Sequence, residues 1–264
     1  MICLRCIEVA GMTDSSYQEL IYTKRGKVAE ITLNRADVLN AISVELYTEL
    51  GDALNAASND ASVQVIVITG AGRAFSTGGD LKQGDKVNRD EPKRFAEASD
   101  RMFKQILGSA KTVIAKVNGI AQAGGLLIVA ACDLAIASER ATFKCPEALV
   151  GIWEPYSAVL LPPQIGIKRT KYLLLASESI DAAEAERIGL INRAVPHEEL
   201  DAATEKLIEH VLAGGPTTRR MFKQMLNRHL MSFDTRMVCE ALSSDEGLEG
   251  MAAFAEKRRP KWRE

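Results

Sequence analysis

Two glycine-rich breaks mark the places in this 264-residue sequence where backbone groups could do chemistry. The first, GAGRAFSTGGDLK, spans Gly70–Lys82 and follows an apolar, β-branched run. The second, VNGIAQAGG, spans Val117–Gly125 and leads directly into a helical pattern. Glycine lets a backbone approach a ligand closely. A helix N-terminus adds N–H groups without intrahelical partners and the positive end of a dipole. Two such donors converging from two loops would form an oxyanion hole, the device that stabilises an enolate or a tetrahedral anion. The competing reading is that both segments are tight turns and nothing more.

Other chemistries find less support. There is no G-x-x-x-x-G-K-[ST] phosphate loop and no G-x-S-x-G nucleophile elbow. Gly70-Ala71-Gly72 imitates the opening of a dinucleotide fingerprint, but Phe75 stands where the third glycine belongs. His197, His210 and His229 are scattered without metal-ligand spacing and read as solvated or capping residues. Cys3 and Cys6 form a C-x-x-C with no second pair at zinc spacing, so no metal site is expected.

The elements that must position the two breaks follow from periodicity. Leu20–Lys24 and Val28–Leu33 read as a hairpin around Arg25-Gly26-Lys27. Ser43 is a predicted N-cap for a helix to about Ala57, with Leu46, Leu50 and Leu54 on one face. Val63–Thr69 has the continuous apolar character of a strand buried on both faces. A helix over Pro92–Leu107, a strand Thr112–Val117, a short buried helix Gly124–Cys132 and a strand Leu134–Ser138 come next. This alternation predicts an α/β fold with βαβ-type crossovers. Helical patterns then dominate: Arg169–Ala176, Ala182–Ile188, Glu198–Leu212, Thr217–Leu230 and Thr235–Ala255. These helices are expected to pack back on the core or to reach a partner subunit.

Composition sets the outer limits. Hydrophobic residues make up 47% and charged residues 26% of the chain, the balance of a globular protein. At this length folding should bury roughly 70–75% of the unfolded surface. Thirty-three basic against 35 acidic residues give a net charge of −2, without the basic footprint of a dedicated nucleic-acid binder. No apolar run reaches the length of a membrane span. Met1–Met12 is too short for a signal peptide, and Met12 is a candidate true start. Five cysteines suit a reducing compartment, so a cytoplasmic location is expected.

Taken together in order, GAGRAFSTGGDLK (70–82), VNGIAQAGG (117–125) and ATFKCPEALVGI (141–152) resemble the crotonase, or enoyl-CoA hydratase/isomerase, superfamily. NRADVLNAIS (34–43), DAAEAERIGLINRAVP (181–196) and EGMAAFAEKRRPKW (249–262) extend the likeness from about residue 17 to the end. The resemblance implies an α/β core of repeated ββα turns in a spiral, with a C-terminal helical region that builds trimers or dimers of trimers. On that basis residues 1–16 form a tail, 17–200 the core and 201–264 the helical region. The implied substrate is an acyl-CoA thioester, with no cofactor beyond the coenzyme A it carries. The family's oxyanion donors fall on the N–H groups of Gly79 and Gly124. Ala74 and Asp80, Leu81 and Lys82 fall where the family lines its CoA nucleotide pocket.

The acid/base positions depart from the family pattern. Enoyl-CoA hydratases of this superfamily carry a glutamate three residues after the second oxyanion glycine, and here that position is Leu127. The second family carboxylate is present as Glu147. Two carboxylates can hold and activate a water, whereas one can shuttle a proton between carbons. The resemblance therefore favours double-bond isomerisation with Glu147 as the shuttle, with hydration by Glu147, aided by Glu154, as the alternative. Glu154 lies one residue from a position where some relatives place a catalytic aspartate; its other reading is a solvated loop residue. Trp153 and Tyr156 are expected to shape the acyl pocket. A reading of a different class, motivated by Leu127, is an impaired acyl-CoA-binding scaffold with RNA affinity.

Overall fold

The computed structural model describes residues 12–14, 17–80, 91–230 and 236–263. The Cys3/Cys6 pair, most of the expected tail, and Leu81 and Lys82 lie outside these residues. β1 (Met12–Asp14), β2 (Leu20–Arg25) and β3 (Val28–Leu33) form an antiparallel ribbon, with Leu20 opposite Leu33 and Arg25 opposite Val28. Gly26 turns the β2–β3 hairpin at φ +56, a left-handed conformation that tight hairpins require. α1 (Val44–Asn59) begins where expected: the Ser43 hydroxyl accepts the Leu46 N–H at 2.9 Å. Its predicted stripe, Leu46, Leu50 and Leu54, is buried.

Three ββα turns then wind through two sheets. The first comprises β4 (Val65–Gly70), β5 (Ala74–Ser76) and α2 (Glu91–Gly108). The second comprises β6 (Thr112–Val117), β7 (Ile120–Gln122) and α3 (Gly124–Ala131). The third comprises β8 (Leu134–Ser138), β9 (Thr142–Lys144) and α4 (Pro155–Ile165). In each turn the first strand joins a seven-stranded sheet and the second a four-stranded one. α5 (Ile167–Lys171), β10 (Ile180–Asp181), α6 (Ala182–Ile188) and β11 (Arg193–Val195) complete the core. The large sheet runs β1-β2-β3-β4-β6-β8-β11 and the small one β10-β9-β7-β5.

All six residues of β4 are buried, as its unbroken apolar run predicts. α1 packs its leucines on one face of the large sheet. On the other face, Ile208 of α7 (Leu200–Ala213) joins Val28, Val65, Val67 and Ile114 in a separate cluster. α8 (Pro216–Asn227) is pinned to the end of the sheet by Lys223, whose ammonium meets Asp133 at 2.7 Å and the Lys111 carbonyl at 3.1 Å. α9 (Arg236–Ser243) and α10 (Asp245–Ala255) follow. α10 packs so tightly on the turn Glu147–Val150 that a Cβ on Gly250 would lie 1.8 Å from the Val150 carbonyl oxygen.

Several expectations need correction. The three-residue strands β5 and β7 lie inside the two glycine-rich breaks, and β9 was not anticipated, because strands this short show no alternation to read. α4 was not anticipated; Pro162 and Pro163 both stand in its last turns. The single helix expected over Thr235–Ala255 is two: Ser244 starts α10, its hydroxyl accepting the Gly247 N–H at 3.0 Å. Arg169–Ala176 is α-helical only to Lys171 and then widens into a π-type turn. No helix of the described residues is long and apolar enough to cross a membrane.

Candidate active site

The two glycine breaks meet where β5 and the start of α3 lie side by side. Asn40, itself at φ +55, ties the first break in place: its amide donates to the carbonyls of Ala71 at 2.9 Å and Ala74 at 2.8 Å. Beyond it, Ile42 pairs in parallel with Gly79, donating to the Gly78 carbonyl at 2.8 Å and accepting the Asp80 N–H at 2.9 Å. Parallel pairing uses the groups flanking Gly79, so the N–H of Gly79 itself faces away from Ile42. Gly124 is the first residue of α3, where a helix leaves its N–H groups without internal partners.

Ala123 and Gly78 hold these two glycines together. Ala123 takes φ 50 and ψ −129, an unusual conformation for a residue with a side chain. Gly78 stands at φ +83, and a Cβ there would lie 2.3 Å from the Ala123 methyl and 3.1 Å from the Gly124 nitrogen. The methyl of Ala123 therefore occupies the space that Gly78 leaves open.

Two carboxylates lie close enough together for the charge of Glu147 to act on Glu154, and both act on Tyr47 of α1. Glu147 opens the turn Glu147–Val150; its Oε2 is sealed from solvent and has no hydrogen-bond partner among the described residues. Burial pushes its carboxyl up to about 7. Glu154 is the N-cap of α4, its Oε1 accepting the Tyr156 N–H at 3.1 Å. Burial, with an added contribution from the Glu147 charge, also pushes Glu154 up to about 7. Glu154 is thus half-buried at the start of α4. Two such groups can divide the labour of a proton donor and a proton acceptor near neutral pH.

The remaining predicted residues separate. Leu127 is buried on α3, its backbone N–H bonded to the Ala123 carbonyl at 3.1 Å. Trp153 is 44% exposed beside Glu154. Tyr156 is buried, donates its hydroxyl to Asp100 at 2.6 Å and packs its ring on Phe103 at 4.2 Å. Ala74 is buried, and its carbonyl accepts from the amides of Asn40 at 2.8 Å and Asn118 at 3.2 Å. Asp80 is paired with Arg35 at 3.1 Å. Two residues were missed. Tyr47 of α1 places its hydroxyl 2.5 Å from where a Cβ on Gly124 would be, and Phe95 of α2 stands 3.5 Å from the corresponding point on Gly79. A hydroxyl-bearing aromatic beside the leucine stripe of α1 was the available signal for Tyr47.

Residues 23–264 match the Enoyl-CoA hydratase/isomerase family model. The chain belongs to the enoyl-CoA hydratase/isomerase family. Among similar relatives of this family, the short-chain-enoyl-CoA hydratase of Clostridium acetobutylicum is 32% identical over 249 residues, 91% of this chain and 95% of the relative. The crotonyl-CoA hydratase of Syntrophomonas wolfei is 33% identical over 253 residues, 92% of this chain and 97% of the relative. The crystal structure of an enoyl-CoA hydratase from Mycobacterium avium subsp. paratuberculosis superposes with a TM-score of 0.81 at 29% identity, covering 93% of this chain and 98% of that one. The crotonase fold expected from the resemblance is the fold found, its spiral of ββα turns included.

Proposed function

We propose that this family member adds water across the double bond of a 2-enoyl-CoA thioester. The observation that carries the proposal is the second carboxyl: Glu154 lies close enough to feel the charge of Glu147, and both carboxyls are pushed up to about 7. The names of the relatives, hydratases of short-chain enoyl-CoA and crotonyl-CoA, support the same reading. In the proposed reaction the thioester oxygen accepts hydrogen bonds from the N–H groups of Gly79 and Gly124. Ionised Glu147 takes a proton from water as its oxygen bonds to Cβ. The Cα–Cβ π electrons move onto the thioester as an enolate. Protonated Glu154 then delivers a proton to Cα, and the enolate collapses to the saturated 3-hydroxyacyl product. Only water and protons are exchanged, so the reaction calls for no redox group.

A panel of 2-enoyl- and 3-enoyl-CoA thioesters tests the proposal, because water addition raises product mass and isomerisation does not. Glu147→Gln and Glu154→Gln should each lower hydration by roughly 10²–10⁴-fold. Isomerisation by Glu147 alone is the second reading, favoured by the apolar, buried Leu127. Under it, 3-enoyl thioesters convert without mass change and Glu154→Gln has little effect.

We also propose that the protein assembles as a trimer or a dimer of trimers. Phe222, Met225 and Leu226 of α8 are exposed, at 62%, 63% and 75%, an apolar face of the kind subunits cover. Sedimentation at micromolar concentration should show the trimer, and monomer alone would rule it out.

A further inference from the structure

We propose that the Tyr47 hydroxyl is a third hydrogen-bond donor to the thioester oxygen, which makes Tyr47 a catalytic residue of this site. The inference rests on the proposed oxyanion role of Gly79 and Gly124 and extends it to a side chain on α1. Its first support is position. The hydroxyl lies 2.5 Å from where a Cβ on Gly124 would stand, so it occupies the flank of one proposed donor. The Tyr47 ring meets Phe95 edge to face with centroids 5.1 Å apart, and Phe95 flanks Gly79. The two aromatics therefore bracket both glycines.

The second support is hydrogen-bond accounting. Tyr47 is only 3% exposed, yet its hydroxyl has no hydrogen-bond partner among the described residues. The hydroxyl is not among the atoms sealed from solvent, so it is open to a partner that enters the site. Burial, and the charges of Glu154 and then Glu147, hold this phenol well above its usual range, so it stays protonated at any working pH. A neutral O–H aimed at a developing oxyanion is an established catalytic device. The geometry also supplies a reason for glycine at 124 beyond its N–H: any side chain there would collide with the hydroxyl.

The test uses Tyr47→Phe, which keeps the ring packing and removes only the donor. Butyryl-CoA carrying carbon-13 at the thioester carbonyl is the probe, because it is saturated and cannot be turned over. Isotope-edited infrared spectroscopy then reads how strongly the bound carbonyl is polarised. The wild-type protein should lower the carbonyl stretching frequency, and Tyr47→Phe should give back part of that shift. Hydration should fall by about 10²-fold, with butyryl-CoA affinity and thermal midpoint little changed. Gly124→Ala should impair the wild-type protein through crowding, yet add little in the Tyr47→Phe background. A full carbonyl shift in folded Tyr47→Phe overturns the proposal while leaving the two backbone donors intact. No carbonyl shift in the wild-type protein overturns the oxyanion reading itself.

Discussion

The charge of Glu147, at the head of the turn Glu147–Val150, adds to burial in holding Glu154, the N-cap of α4, at about 7. Glu147 itself is raised to about 7 by burial. The singly ionised form, one acid and one base, is the form the proposed hydration needs.

The rate should follow. kcat/KM for a 2-enoyl-CoA thioester is expected to rise and then fall around neutral pH, with both limbs belonging to the pair. In Glu147→Gln the residual activity should lose one limb. A profile flat from pH 5 to 9 would remove the pair from the mechanism.

Stability should carry the same signature with a definite sign. A carboxyl whose pKa is raised by folding favours the native state below its unfolded value, and that contribution is lost as pH rises through the folded value. Each glutamate should therefore cost the native state stability progressively between about pH 4.5 and 7, reaching about 3 kcal/mol well above 7. Glu147→Gln should be more stable than the wild-type protein at pH 8, and the gap should close at pH 4.5. Urea denaturation at the two pH values measures the difference.

Position 79 separates the backbone donor from the missing side chain. A Cβ there would meet the Phe95 ring at 3.5 Å, an ordinary contact. Gly79→Ala keeps the N–H and should retain turnover within about threefold. Gly79→Pro deletes the N–H and should lower turnover by about 10²–10³-fold. Circular dichroism confirms that both variants are folded, and equal losses in the two would detach the Gly79 N–H from the chemistry.

Lys223 and Asp133 hold the C-terminal helices to the core. Burial raises the Asp133 carboxyl, while Lys223 and the Val113 N–H pull it back. Lys223→Met leaves that carboxylate buried and uncompensated, so destabilisation of about 3–5 kcal/mol is expected in denaturant titrations. A loss below about 1 kcal/mol would show that the pair does not anchor α8.

Much of this architecture was legible in the sequence because local rules and packing agree there. Ser43 caps α1, β6 and β8 match their apolar runs, and Gly79 and Gly124 lie in the two segments singled out for backbone chemistry. What stayed hidden depends on contacts between distant segments. Tyr47 follows Leu46 in a stripe that reads as core, and only the approach of α3 makes its hydroxyl part of a site. Glu154, between Trp153 and Pro155, reads as a surface turn until tertiary packing half-buries it at the start of α4. β5, β7 and β9 are strands only because they lie beside one another.

The fit of the Ala123 methyl against Gly78 has a consequence for evolution at this site. Ala123 sits in a conformation whose cost is on the order of 1–3 kcal/mol for a residue with a side chain. Glycine at 123 would relieve that cost yet remove the spacer that sets how far apart the loop and the helix stand. A larger residue at 78 would push them apart. The gauge between the two strands of the mechanism is thus a single methyl group, cut to length before any substrate arrives. A side chain added at 78 or lengthened at 123 is therefore expected to be felt at the other position.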